Sequence, residues 1–193
     1  MKLTYAAWAL SAVFSGSVLA QTTQSAVQRD VNQEKRIEQG LKSGELNTKE
    51  ASRLEREEGR VNQIESKALS DGKLSDAEKK RIDREQNRVS KDIYREKHDA
   101  QTGNPDSASS KRMQADVQRN INQQQRIEQG VQSGQLTNRE AGKLEQGQAY
   151  VDRKEARAGA DGHLGAGEQK SIQNAENSQS KKIHHEKHNH HQN

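Results

Sequence analysis

Residues 36–46 read RIEQGLKSGEL, and residues 126–136 read RIEQGVQSGQL. The same offset of 90 aligns 27–98 with 117–188 without a gap, and 33 of these 72 positions are identical. A repeat of this length indicates one structural unit that is present twice. We expect helical repeats at 21–98 and 115–189. A linker at 99–114 contains Gly103 and Pro105, the only proline of the chain.

Apolar residues recur with a helical period in each copy. Leu54, Val61 and Ala68, for example, are seven residues apart. Glycines such as Gly44 and Gly72 interrupt the pattern, and glycine can adopt the left-handed conformation that ends helices. The pattern predicts an all-α fold with two tandem repeats, each a three-helix unit of helical hairpins. The helices are expected at about 25–41, 48–69 and 76–98, then at about 115–131, 138–159 and 166–189, with mixed charges on their solvated faces.

The N-terminus has the features of a secretory signal peptide at 1–20. Lys2 precedes a short apolar run, and Ala20 provides a small residue at the cleavage position. The run is too short to span a bilayer, so we expect no transmembrane segment after signal removal. A periplasmic or secreted location follows. The chain has no cysteine, so no disulfide can stabilise it there.

The composition indicates a thin hydrophobic core and provides no catalytic constellation. Hydrophobic residues make up 28% of the chain and charged residues 31%, with a formal net charge of +4. The basic residues are dispersed along the chain, which argues against nucleic acid as a partner. There is no cysteine nucleophile, no nucleophile-elbow serine and no phosphate-binding glycine loop. The sequence therefore predicts a protein without enzymatic activity. A separate expectation is a possible homo-oligomer, because association would add to the small core of each chain.

Four loops share a Gly-x-Leu-x-x-x-Glu pattern that ends at Glu50, Glu78, Glu140 and Glu168. The pattern resembles the second half of an EF-hand loop, but the first ligand positions carry no carboxylate. Asn47, Ser75 and Thr137 lie three residues before a loop glutamate, as in a helix-capping box, so capping is favoured over calcium. The arrangement resembles uncharacterised secreted bacterial helical-repeat proteins with degenerate EF-hand-like hairpin loops. This resemblance implies a fold and export rather than an activity.

The C-terminus is rich in histidine, and residues 190–193 are expected to form a His-rich tail end. His184 and His188 would lie on one face of a helix, four residues apart, where two imidazoles can hold Cu²⁺, Ni²⁺ or Zn²⁺. A solvated tail, or a cluster that gains charge in acid, would explain the same residues. The motif His-Glu-Lys-His is not the zinc-peptidase motif His-Glu-x-x-His. The candidate metal ligands are His184, His185, His188, His190 and His191.

Three functions fit these observations. The first is an exported, non-enzymatic repeat protein that binds a divalent transition metal through its C-terminal histidines. The second is a periplasmic protein-interaction or chaperone-like stress module with an envelope protein as its partner. The third is calcium binding through the degenerate EF-hand-like loops, which the missing ligands disfavour.

Overall fold

The computed structural model describes the backbone of residues 15–189 and the side chains of residues 23–189. The predicted signal peptide falls mostly outside this range, and His190 and His191 fall entirely outside it. The described chain is all-helical, as predicted. None of its helices is long and apolar enough to cross a membrane. The six helices are α1 (Ser15–Ser43), α2 (Thr48–Ala68), α3 (Asp76–Lys97), α4 (Ala108–Gln132), α5 (Asn138–Ala158) and α6 (Ala166–His188).

Local hydrogen bonds explain where the helices begin and end. Capping boxes start α2 at Asn47, α3 at Ser75 and α5 at Thr137. In each box the side chain of the cap accepts a backbone N–H, and a glutamate three residues later accepts the N–H of the cap. The turns before α2, α3, α5 and α6 contain glycines with φ between 74° and 91°, a conformation that a side chain would disfavour. These are Gly44, Gly72, Gly134 and Gly162.

The fourth helix begins at Ala108 rather than at about Ala115, so the connection between the copies is shorter than the expected linker. Ser107 causes the early start, because its side chain accepts the N–H of Ser110 and caps the helix. Ser109 and Met113 are buried in this first part of α4. The serine-rich composition therefore reflects capping and packing here rather than a flexible linker.

The two copies pack against each other through equivalent helices. Helix α2 packs against α5, and α1 packs against α4. Gly59 of α2 faces Asp152 of α5, whereas Gly142 near the start of α5 faces Leu69 at the end of α2. The paired helices are therefore antiparallel. A β-carbon at Gly142 would lie 2.9 Å from the β-carbon of Leu69, so this glycine permits the close approach of the two helices.

Each of two hydrophobic clusters contains residues from both copies. The first cluster joins Leu46 and Leu54 to Leu164. The second contains their counterparts at the offset of 90, joining Leu136 and Leu144 to Leu74. Leu74 and Leu164 lie in the loops before the third helices, so each of these loops inserts a leucine into the cluster of the other copy. The third helices themselves pack on the first two helices of their own copies. Ser109 connects the second of these loops to the first copy, because it accepts the Leu164 N–H at 2.7 Å and shares a hydrogen bond with the Thr48 hydroxyl at 3.1 Å.

Candidate metal centre

Eight carboxylic side chains are buried where α1, α2, α4 and α5 meet. We call them the acidic core. Each is at most 2% exposed. Asp30 and Glu34 lie on α1, and the others lie on α2 and α5. The acidic core consists of Asp30, Glu34, Glu55, Glu58, Glu65, Glu145, Asp152 and Glu155.

No lysine, arginine or histidine is buried within residues 23–189, so the acidic core has no buried cationic partner. Burial, together with the like charges of Glu58 and Asp152, raises the pKa of Glu34 well above its usual range. Burial also raises the pKa of Asp152 to about 8. Several ionised carboxylates cannot stay together in a low-dielectric interior. They must bind either protons or a cation.

Amide side chains replace two of the carboxylates and provide hydrogen-bond donors in one half of the acidic core. Gln124 donates one hydrogen bond to Glu145 at 3.1 Å and another to the side-chain oxygen of Asn62 at 3.2 Å. This trio therefore contains a single carboxylate, and that carboxylate has an amide donor. Glu145 Oε1 and Gln124 Oε1 have no hydrogen-bond partner among the described residues, but a trio with one carboxylate needs only one proton to become neutral.

The equivalent trio in the other half consists of carboxylates only. The offset of 90 relates Gln124 to Glu34, Glu145 to Glu55, and Asn62 to Asp152. One oxygen from each of Glu34, Glu55 and Asp152 lies within 4.8 Å of the other two. Glu34 Oε2, Glu55 Oε1 and Asp152 Oδ1 have no hydrogen-bond partner among the described residues. A cation at this point would take the place that the amide donor of Gln124 occupies in the other half.

Neighbouring groups extend the supply of oxygen ligands. Glu58 is fully buried, and neither of its carboxylate oxygens has a hydrogen-bond partner in the described structure. Its charge acts on both Glu34 and Asp152, so it lies close to the trio. The amide nitrogen of Asn120 donates hydrogen bonds to Glu55 and Glu155. The amide oxygen of Asn120 is therefore a further acceptor without a partner among the described residues. Carboxylate and amide oxygens are the ligands that Ca²⁺, Mg²⁺ and Mn²⁺ prefer.

A second group of carboxylates, Glu50, Glu96 and Asp99, lies near the end of α3. Here Arg53 and Arg95 form ion pairs with Glu96, so cationic side chains are already present. This group is therefore a weaker candidate for a metal than the trio in the acidic core.

The structure brings together two of the predicted histidine ligands. The rings of His184 and His188 lie 4.2 Å apart between centroids. Nδ1 of His188 lies 2.7 Å from the backbone oxygen of His184, which leaves Nε2 as its free ligand atom. In the first copy, Tyr94 and His98 stack in the same way at 4.1 Å. This stack therefore forms in the absence of a second imidazole.

His185 is exposed and belongs to no described group of three metal-ligating side chains. The glutamates of the four loops accept the N–H of a helix cap, as predicted for capping boxes. The expectation that charged residues occupy solvated faces is wrong for the acidic core. Its sequence signal is the helical spacing of Glu55, Glu58 and Glu65, which recurs at the offset of 90 as Glu145, Gln148 and Glu155.

Comparisons with known proteins add no further information. No protein-family model, curated protein or solved structure matches this chain.

Proposed function

We propose that the protein binds a hard divalent cation inside its helical bundle, with Glu34, Glu55 and Asp152 as ligands and Glu58 beside them. The supporting observation is the contrast between the two halves of the acidic core. One trio contains a single carboxylate that has an amide donor, whereas the other contains three carboxylates, each with one buried oxygen that has no partner among the described residues. Of these three, Asp152 accepts a hydrogen bond from Asn62 at 2.7 Å. A cation would neutralise the trio of carboxylates and remove the cost of burying its charges.

The chemistry of the ligands favours Ca²⁺ among such cations. Ca²⁺ takes six to eight oxygen ligands and tolerates irregular geometry, whereas Mg²⁺ requires a near-octahedral arrangement and keeps several waters. The described residues around the trio provide carboxylate and amide oxygens without sulfur or imidazole. The proposed activity is therefore binding, as a cation buffer or carrier, rather than catalysis.

Calorimetric titration of EDTA-treated protein with Ca²⁺, Mn²⁺, Mg²⁺ and Zn²⁺ would test the proposal. The informative variant is Glu34→Gln, because it introduces the residue that the other half of the core has at Gln124. We expect saturable binding of Ca²⁺ or Mn²⁺ by the wild type and its loss in this variant. Since the amide can donate to Glu55, the variant should fold at least as well as the wild type.

The matched control is Glu38→Gln, one helical turn further along α1, where the side chain pairs with Lys42 at the surface. It should bind the cation as the wild type does. Equal binding by the Glu34→Gln variant, or no saturable binding of any of the four cations by the wild type, would refute the proposal.

A second candidate is transition-metal binding at the histidines on α6, which is supported by the exposed, adjacent rings of His184 and His188. Imidazole ligands select Cu²⁺, Ni²⁺ or Zn²⁺, so the two sites differ in the metals that they prefer. Titration with Cu²⁺ in the presence of excess Ca²⁺ would separate them.

A further inference from the structure

A groove of about 610 Å³ lies between α5 and α6 on the surface of the second copy. Its size is within the range of small-molecule sites. Four of its twelve lining residues are cationic, and none is acidic. The cations are Lys143, Arg153, Lys154 and Lys182.

At the twelve equivalent positions the first copy carries six arginines and three carboxylates, whereas the groove has four cations and no carboxylate. Gly147 replaces Glu57, Ala175 replaces Glu85, and Lys182 replaces Asp92 at the offset of 90. Ser178 likewise replaces Arg88, which pairs with Glu85 in the first copy. The second copy therefore lacks the three carboxylates and the bulk that occupy these positions in the first. The loss of the carboxylates favours a negatively charged ligand, and the loss of bulk provides space for it.

The groove cations form no close ion pair with a described carboxylate, although Lys143 and Arg153 act electrostatically on the carboxylates of Glu140 and Asp152. None of the four forms an ion pair within 4.0 Å with a carboxylate in the part of the chain that the structure describes, although Lys154 donates a hydrogen bond to Ser171. Lys154 also lies 5.7 Å from the ring centre of Tyr150, which is 51% exposed. At the base of the groove, the oxygen of the buried Gln179 amide has no hydrogen-bond partner.

We propose that this groove binds a small anion with at least two carboxylate or phosphate groups. Lysine ammonium groups and the planar guanidinium of Arg153 form charge-assisted hydrogen bonds with both kinds of oxyanion. The exposed ring of Tyr150 provides an apolar surface for the body of the ligand, and the amide oxygen of Gln179 can accept a hydrogen bond from a hydroxyl group of the ligand. This site is separate from the acidic core and does not depend on a bound cation.

Calorimetry with the full-length, EDTA-treated protein would test the groove, with citrate and inorganic pyrophosphate as probes at millimolar concentration. Citrate alone would indicate a carboxylate ligand, and pyrophosphate alone a phosphate ligand. Lys182→Gln should weaken binding about tenfold or more, because it removes one charge-assisted hydrogen bond. The matched control is Lys181→Gln, which makes the same change in charge at a neighbouring residue that does not line this groove.

Ser178→Arg separates shape from charge. It places the arginine of the first copy into the groove, so it adds a positive charge but fills the space. We expect weaker binding from this variant, whereas attraction by net charge alone would strengthen binding. Stronger binding by Ser178→Arg, equal losses in the Lys181 and Lys182 variants, or no binding of either anion by the wild type would overturn the proposal.

Discussion

Asp152→Asn offers a quantitative test of the acidic core, because it introduces the amide that the other half of the core has at Asn62. Burial raises the pKa of Asp152 from 3.8 to about 8, against the lowering effect of its hydrogen bond from Asn62. Between these values the folded protein holds a proton that the unfolded chain releases. The free energy of unfolding then falls by about 1.4 kcal/mol for each pH unit. This contribution is complete below pH 3.8 and is lost as the pH rises to about 8.

An asparagine at position 152 does not titrate, so the variant should lack this part of the pH dependence. Between pH 5 and pH 8 the stability of the variant relative to the metal-free wild type should rise by about 4 kcal/mol. Urea denaturation in EDTA, followed by far-ultraviolet circular dichroism, measures this difference. Saturating Ca²⁺ should stabilise the wild type at pH 8 and leave the variant unchanged.

A suitable control is Asp106→Asn, since the Asp106 side chain is 84% exposed beside Lys111. Its pH curve should follow that of the wild type. If the curves of the Asp152→Asn variant and the wild type run parallel from pH 5 to pH 8, the acidic core does not hold protons as argued. Equal stabilisation of both proteins by Ca²⁺ would show that Asp152 is not a ligand.

Three further predictions concern other parts of the molecule. Asn189 donates hydrogen bonds to Glu140 and Glu186, whereas its counterpart Asp99 cannot donate to Glu50 and Glu96. Asp99→Asn should therefore stabilise the protein by about 1 kcal/mol in urea denaturation. An unchanged or lower midpoint would contradict this prediction. Leu164→Ala should destabilise the protein by about 2–5 kcal/mol, because Leu164 is fully buried in a cluster with Leu46 and Leu54, and a loss well below 1 kcal/mol would refute this packing of the loop against the first copy. His184→Tyr introduces the residue found at Tyr94, so it should preserve the ring stack. The variant should bind Cu²⁺ about tenfold more weakly in calorimetry, and unchanged affinity would exclude His184 as a ligand.

The helices and their caps were predictable because their signals are local. Asn47, Ser75 and Thr137 each precede a glutamate by three residues, and each forms the predicted capping box. The apolar positions Leu54 and Val61 are buried as their helical period indicates. Ser107 was missed as a cap because its serine-rich surroundings have the composition of a linker.

The acidic core could not be predicted from one helix at a time. Glu55 and Glu58 lie beside the apolar face of α2, where an isolated helix would expose them to solvent. They become buried because α5 packs antiparallel against α2 and its own carboxylates face them.

The groove between α5 and α6 was missed for a related reason, since its signal is a set of large or acidic side chains that the first copy has and the second copy lacks. The loss of side-chain bulk and negative charge at Gly147 and Ala175 is visible only when these residues are compared with Glu57 and Glu85, their counterparts in the first copy.

The packing of the two copies through equivalent helices has an evolutionary consequence. Before duplication, a single repeat could have completed its core only by pairing with an identical chain. Such a homodimer would carry the same residue at every symmetry-related position, so its interior would have contained either two all-carboxylate trios or two trios with amides. Fusion into one gene removed that constraint. One trio could keep Glu34 and Asp152, while mutation of the other to Gln124 and Asn62 removed the repulsion that a second set of acids would have added.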